Sequence, residues 1–190
     1  MPTDALLEVR DLEVGFATDH GIARVLDRVN LTIRRGEVMG LVGESGCGKT
    51  TLARAILGVL PVNAARIGGG SISFRGENLL DRDPAALART VRGRRITFIP
   101  QDPFGSFNPL FRVGAQIMEL MKWKSPRRGR TAGERLPWLR TYPRRRRRED
   151  RGAVIELLRK VQIPQPERAL RKLPHEFSGG QRQRLMIAMA

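Results

Sequence analysis

The residues best placed to do chemistry are Gly43, Gly48, Lys49 and Thr50, within the run from Val38 to Thr51, VMGLVGESGCGKTT. They satisfy the pattern G-x-x-x-x-G-K-[ST]. Glycines admit the conformations that turn successive N–H groups inward, and at the start of a helix those amides and the dipole attract an anion. Glu44, Ser45, Gly46 and Cys47 fill the variable positions of the loop. Lys49 has the reach for the β- and γ-phosphates of a nucleotide, and the Thr50 hydroxyl suits Mg²⁺. A glycine-rich turn joining strand to helix is the plainer reading. The flanks favour nucleotide binding: Val38 to Val42 reads as a buried strand, and Thr51 to Leu60 carries apolar residues at helical spacing.

A second stretch with chemistry runs from Leu173 to Arg184. Ser178 is a natural N-cap, Gly179 and Gly180 expose backbone amides, and Gln181 begins the helical pattern. Two further residues stand out by position. Phe16 offers an aromatic face for an adenine ring, or else a core aromatic on a strand. Gln101 ends a short apolar run, where open α/β sheets bind ligands, or is an ordinary loop amide. Cys47, the single cysteine, sits at a helix start that lowers thiol pKa, or is a small filler in the loop.

The elements that must position these residues follow from periodicity. Leu6 to Phe16 and Val29 to Ile33 alternate as antiparallel strands with one wet face. Ser71 to Phe74 is a strand turned by Arg75 and Gly76; Asp83 followed by Pro84 opens a helix to about Arg92. Ile96 to Pro100 reads as a further apolar strand. Val113 to Lys124 is an amphipathic helix, the Arg-rich segment after it reads as irregular, and helix returns over Ala153 to Val161 and after Pro166. No strand signal appears between about Val113 and Lys172. A largely helical subdomain is therefore expected inside an α/β frame.

Gly43 to Thr51, Gln101 and Phe177 to Arg184, in that order, resemble the Walker A loop, Q-loop and signature loop of ABC transporter ATP-binding subunits. The resemblance spans Leu6 to Ala190 apart from the Arg-rich part, with Phe177 where Leu is commoner. Gln101 to Pro109, Val42 to Lys49 and Pro174-His-Glu resemble more narrowly the oligopeptide/dipeptide (or nickel) importer branch. The resemblance implies an α/β P-loop NTPase fold of ABC type, with an N-terminal antiparallel β part and an inserted α-helical subdomain. It implies a nucleotide-binding core over 1–109, a helical subdomain over 110–176 with an Arg-rich insertion at 122–151, and the signature loop with its helix start over 177–190. ATP and Mg²⁺ are the implied cofactors. Phe16 falls at the adenine-stacking position and Gln101 at the Mg²⁺- and water-sensing position. Ser178, Gly179, Gly180 and Gln181 would complete the ATP site of a second ATP-binding subunit, in a homo- or heterodimer. The implied partners are integral-membrane permease subunits, and the implied place is the cytoplasmic face of the inner membrane, peripherally bound.

The family continues beyond the signature helix into a strand ending in Asp-Glu and a switch His. This sequence stops at Ala190, and neither His20 nor His175 stands where the switch His should be. The expectation is a truncated or split subunit that binds MgATP weakly, does not hydrolyse it, and is poorly soluble through an unpaired strand edge. An inert fragment is the alternative. The apolar run Leu185 to Ala190 lacks a stop signal and is expected to need further strands to cover it.

Composition narrows the classes. A hydrophobic content of 41% is globular. No apolar run approaches the roughly 20 residues of a membrane helix, and the N-terminus lacks the features of a secretion signal. One cysteine fits a reducing compartment. The formal charge is +16, and Lys122 to Arg151 carries 13 basic residues against three acidic ones. A nucleic-acid-associated ABC ATPase is the competing function that this run suggests, with anionic membrane another partner. A solvated, irregular insertion is the preferred expectation, which makes nucleic acid an unlikely partner.

Overall fold

The computed structural model describes residues 4–102, 105–126 and 142–190, in two compact units, Met1–Ile96 and Thr97–Ala190. The first is built on two long strands, β1 (Ala5–Thr18) and β2 (Gly21–Arg34), joined by a tight turn. β3 (Ala65–Phe74) and β4 (Glu77–Asn78) complete an antiparallel sheet in the order β2-β1-β3-β4. The alternation over Leu7, Val9, Leu12 and Val14 puts these side chains on one buried face. They meet Leu52 and Ala55 of helix α1 (Lys49–Leu57) and Leu87 of α2 (Pro84–Thr90) in a single core. Asp83 caps α2 as expected, its carboxylate accepting from the Ala86 amide at 2.9 Å.

The expected strand over 38–42 is not formed, nor is the one over 96–100 beyond an isolated bridge between Arg92 and Ile96. Val38 and Val42 are 98% and 94% exposed, so the reading of a buried strand is corrected. An apolar run becomes a strand only when its amides and carbonyls find a neighbouring ladder, and among the described residues neither run finds one.

The second unit is helical: α3 (Val113–Lys124), α4 (Arg144–Lys160), α5 (Pro166–Ala169), a 3₁₀ turn (Pro174–Glu176) and α6 (Gly179–Met189). Val113, Ile117, Val154, Leu158, Leu170, Phe177 and Leu185 form its core. α3 lies where its periodicity predicts. α6 buries part of its apolar surface inside this unit: Leu185 is fully buried and Met186, Ala188 and Met189 pack half-buried on the core, while Ile187 is 48% exposed. Gly114 is required by a close approach. Its amide donates to the Leu170 carbonyl at 3.0 Å, and a Cβ would stand 2.3 Å from that oxygen. Gly114→Ala is expected to cost about 1–3 kcal/mol through the forced separation, read as a lowered melting temperature. An unchanged melting temperature would refute the close fit.

The Arg-rich segment brings the largest correction. Residues 127–141 lie outside the described residues, but Arg144 to Arg151 is regular helix, where an irregular chain was expected; Arg144, Arg145, Arg147 and Arg148 are solvated as expected. Arg146 and Asp150, one turn apart, are buried, with Arg146 Nε 3.6 Å from Asp150 Oδ2. Asp150 also accepts from Ser125 Oγ at 2.7 Å and Tyr142 Oη at 2.9 Å. Arg146 donates to the Lys122 carbonyl at 2.9 Å and lies over the Tyr142 ring, 4.6 Å from its centroid. Burial, then the Asp150 hydrogen bond and charge, push the Tyr142 phenol well above its ordinary range, so it remains a protonated donor. Pairing inside the helix overrides the repulsion that favours a loose chain.

Candidate functional site

Residues 43–51 form a loop running into α1. Gly46 and Gly48 have φ of 87° and 94°, the left-handed region that glycine tolerates best. Gly48 is the N-cap of α1, and it lies against β2. A Cβ there would stand 2.8 Å from Leu26 Cδ2 and 3.1 Å from the Val25 carbonyl oxygen. The sheet thus sets where the helix begins. Leu52 is the first residue to bond back, to the Gly48 carbonyl at 2.9 Å. The amides of Lys49, Thr50 and Thr51, the first three of α1, have no intrahelical acceptor.

Lys49 curls over this loop. Its ammonium donates to the carbonyls of Gly43 at 2.8 Å and Glu44 at 2.5 Å and lies 3.3 Å from Cys47 Sγ. A Cβ on Gly43 would stand 2.8 Å from Cys47 Sγ and 3.9 Å from Lys49 Nζ, so Gly43 faces the loop interior. Gly43, Glu44, Cys47 and Lys49 are therefore gathered together. Ser45 and Gly46 form the exposed turn between them, Thr50 is exposed at the helix start, and Thr51 is half-buried.

Phe16 is on β1, half-buried and packed against the sheet core, opposite Ala23 of β2 and Ala65 of β3. β2 links it to the loop, because Ala23 lies across from Phe16 while Val25 touches Gly48. In the second unit, Gln101 is exposed in a bend. Ser178 and Gln181 make a capping box: the Gln181 amide donates to Ser178 Oγ at 3.3 Å, and the Ser178 amide donates to Gln181 Oε1 at 3.1 Å. Gly179 and Gly180 occupy the turn between them.

The donor set suits the phosphates of a nucleotide on one structural observation. Gly43 keeps clear a place where a Cβ would crowd Cys47 Sγ, beside helix-start amides and one ammonium. A family model described as ABC transporter matches residues 26–190. The chain belongs to the ABC transporter family. Its relatives include the probable peptide ABC transporter ATP-binding protein of Sinorhizobium fredii, 43% identical over 98% of this chain and 50% of that protein. The oligopeptide transport ATP-binding protein OppD of Salmonella typhimurium is 40% identical over 100% of this chain and 50% of its own length. The chain thus spans about half the length of the curated relatives it matches. Among solved structures, the dimeric structure of a bacterial ABC transporter cassette aligns with a TM-score of 0.71 at 22% identity. That alignment covers 96% of this chain and 68% of the other, and shows the α/β ABC cassette fold.

Sequence reasoning missed one grouping in this ABC family member. Arg147 and Arg151, inside the arginine run, sit one turn apart and line a cavity with Arg112 and Arg171. Their i, i+4 spacing was the available signal, hidden by the expectation of irregular chain.

Proposed function

We propose that this chain is ATP-binding sequence of the energy-coupling subunit of an ABC importer for oligopeptides or dipeptides. The observation that carries the proposal is the loop: three helix-start amides with no intrahelical acceptor, Gly43 facing the loop interior without a side chain, and Lys49 folded over the same cradle. In this reading residues 1–109 are the nucleotide-binding core, 110–176 the helical subdomain and 177–190 the signature loop with its helix start. The backbone of Gly43 to Gly48 holds the phosphates of ATP. Lys49 exchanges its two carbonyl acceptors for phosphate oxygens, which strengthens both partners because each is charged. Thr50 would ligate Mg²⁺, Gln101 keeps the Mg²⁺-sensing role that the resemblance implies, Thr51 extends the amide row, and Phe16 carries the adenine. Bound magnesium would neutralise phosphate charge. Ser178, Gly179, Gly180 and Gln181 supply their amides and polar tips to the nucleotide of a second subunit. The partners are that second ATP-binding subunit and membrane permease subunits, at the cytoplasmic face of the inner membrane. Among the described residues no helix is long and apolar enough to cross a membrane.

The single cysteine makes a direct test available. Cys47 is exposed in the loop and Ser178 is exposed at the α6 cap. In a head-to-tail pair both would flank the same nucleotide. Ser178→Cys is expected to give a reducible inter-chain dimer under mild oxidation with magnesium nucleotide, and none in a Cys47→Ser background. Saturable nucleotide binding without any such dimer would overturn the sandwich. Absence of saturable binding would overturn the nucleotide reading itself.

A further inference from the structure

The second unit holds a cavity of about 510 Å³ whose walls carry five cationic side chains: Arg112, Lys122, Arg147, Arg151 and Arg171. One carboxylate, Glu119, lines it, and that group is already engaged with Trp123 Nε1 at 2.8 Å and Lys122 at 3.9 Å. The other acids of α4 nearest the cavity are engaged elsewhere: Glu149 pairs with Arg145, and Asp150 is buried with Arg146. Among the described residues, none of Arg112, Arg147, Arg151 and Arg171 has a carboxylate within ion-pair distance. Four guanidinium groups of like charge facing one concavity repel one another, and an anion seated among them removes that repulsion.

The amino acids specify the kind of anion. Guanidinium is a planar fork that matches phosphate oxygens two at a time. Several such forks around one space suit a group bearing more than one negative charge. Met118, Leu170 and the Tyr142 ring supply an apolar wall beside them, and the volume is that of a small-molecule site. We propose that this cavity binds a phosphate-bearing ligand, of the diphosphate or anionic phospholipid-headgroup kind, independently of the loop at 43–51. α4 is what builds it: with Arg146 and Asp150 turned inward, Arg147 and Arg151 are presented together on the cavity side.

The test uses inorganic pyrophosphate titrated by calorimetry into the full chain carrying Lys49→Ala, so that binding by the nucleotide loop is weakened. One saturable site is expected. Arg147→Gln with Arg151→Gln should loosen it by about 10- to 100-fold, the loss of charge-assisted hydrogen bonds. Arg145→Gln, on the same helix but outside the cavity, should leave it unchanged. Arg147→Lys with Arg151→Lys should give an intermediate loss, and a far-ultraviolet melt checks that each variant is folded. Equal loosening by Arg145→Gln would mean diffuse charge and would overturn the site, as would no saturable binding. Co-sedimentation with phosphatidylglycerol vesicles, against phosphatidylcholine, separates the two sources. Sedimentation that pyrophosphate reverses and the double variant lacks assigns the lipid headgroup. Sedimentation that the double variant leaves unchanged, while the same variant loosens pyrophosphate binding, assigns the free phosphate.

Discussion

Lys49→Ala is expected to weaken magnesium-nucleotide binding by about 100-fold or more, at little cost to folding. The Lys49 ammonium is the only side-chain cation that bonds within the loop among the described residues, contacting the Gly43 and Glu44 carbonyls. Charged hydrogen bonds to phosphate contribute about 1.5–3 kcal/mol each, and two such bonds exceed what neutral amides alone would retain. Removing the side chain also frees two carbonyls that water can serve, since the loop is exposed. Stability should therefore move by less than about 1 kcal/mol. Titration with a fluorescent nucleotide, with and without magnesium, measures the affinity, and a denaturant melt measures the fold. Retained affinity would show that the amides of α1 suffice. Lost affinity with a lost fold would place Lys49 in the architecture.

The second large effect concerns the helical unit. Asp150→Ala leaves Arg146 charged and 2% exposed, while Ser125 and Tyr142 each lose an acceptor. Breaking a buried pair from one side costs about 3–5 kcal/mol, against a whole-domain stability of about 5–15 kcal/mol. Loss of cooperative melting in this unit, or a markedly lower urea midpoint, is the expected result. Asp150→Asn keeps one of the two acceptor oxygens, serving Ser125 or Tyr142 but not both, and should cost less. Replacing both partners with apolar residues, Arg146→Met with Asp150→Leu, should recover much of the loss, because no charge is then stranded. If Asp150→Ala melts as the unaltered chain does, water reaches the pair and it does not hold α4 in place.

Much of this protein is written in local chemistry. The G-x-x-x-x-G-K-[ST] spacing locates the loop at 43–50, the Ser178 cap lies where a short polar side chain can take an amide, and α3 follows its apolar period. The strand that carries Phe16 and its neighbour are legible too, through their alternation, although β2 begins at Gly21, well before the alternating part. These features depend on neighbours within one or two turns of chain. Family membership follows from the same loops, and the match over residues 26–190 agrees with it.

Tertiary structure decides the rest. Whether 38–42 is a strand depends on a ladder partner that no local pattern encodes. Whether Arg144 to Arg151 is irregular or helical depends on Ser125 and Tyr142, one of them 25 residues away, reaching one carboxylate. The partial cover on α6, centred on Leu185, comes from helices whose packing its own residues do not specify. The basic cavity exists only because Arg112 and Arg171 arrive from other parts of the chain beside Arg147 and Arg151. Charge and hydrophobic period are properties of a segment, whereas pairing and burial are properties of what folds against it.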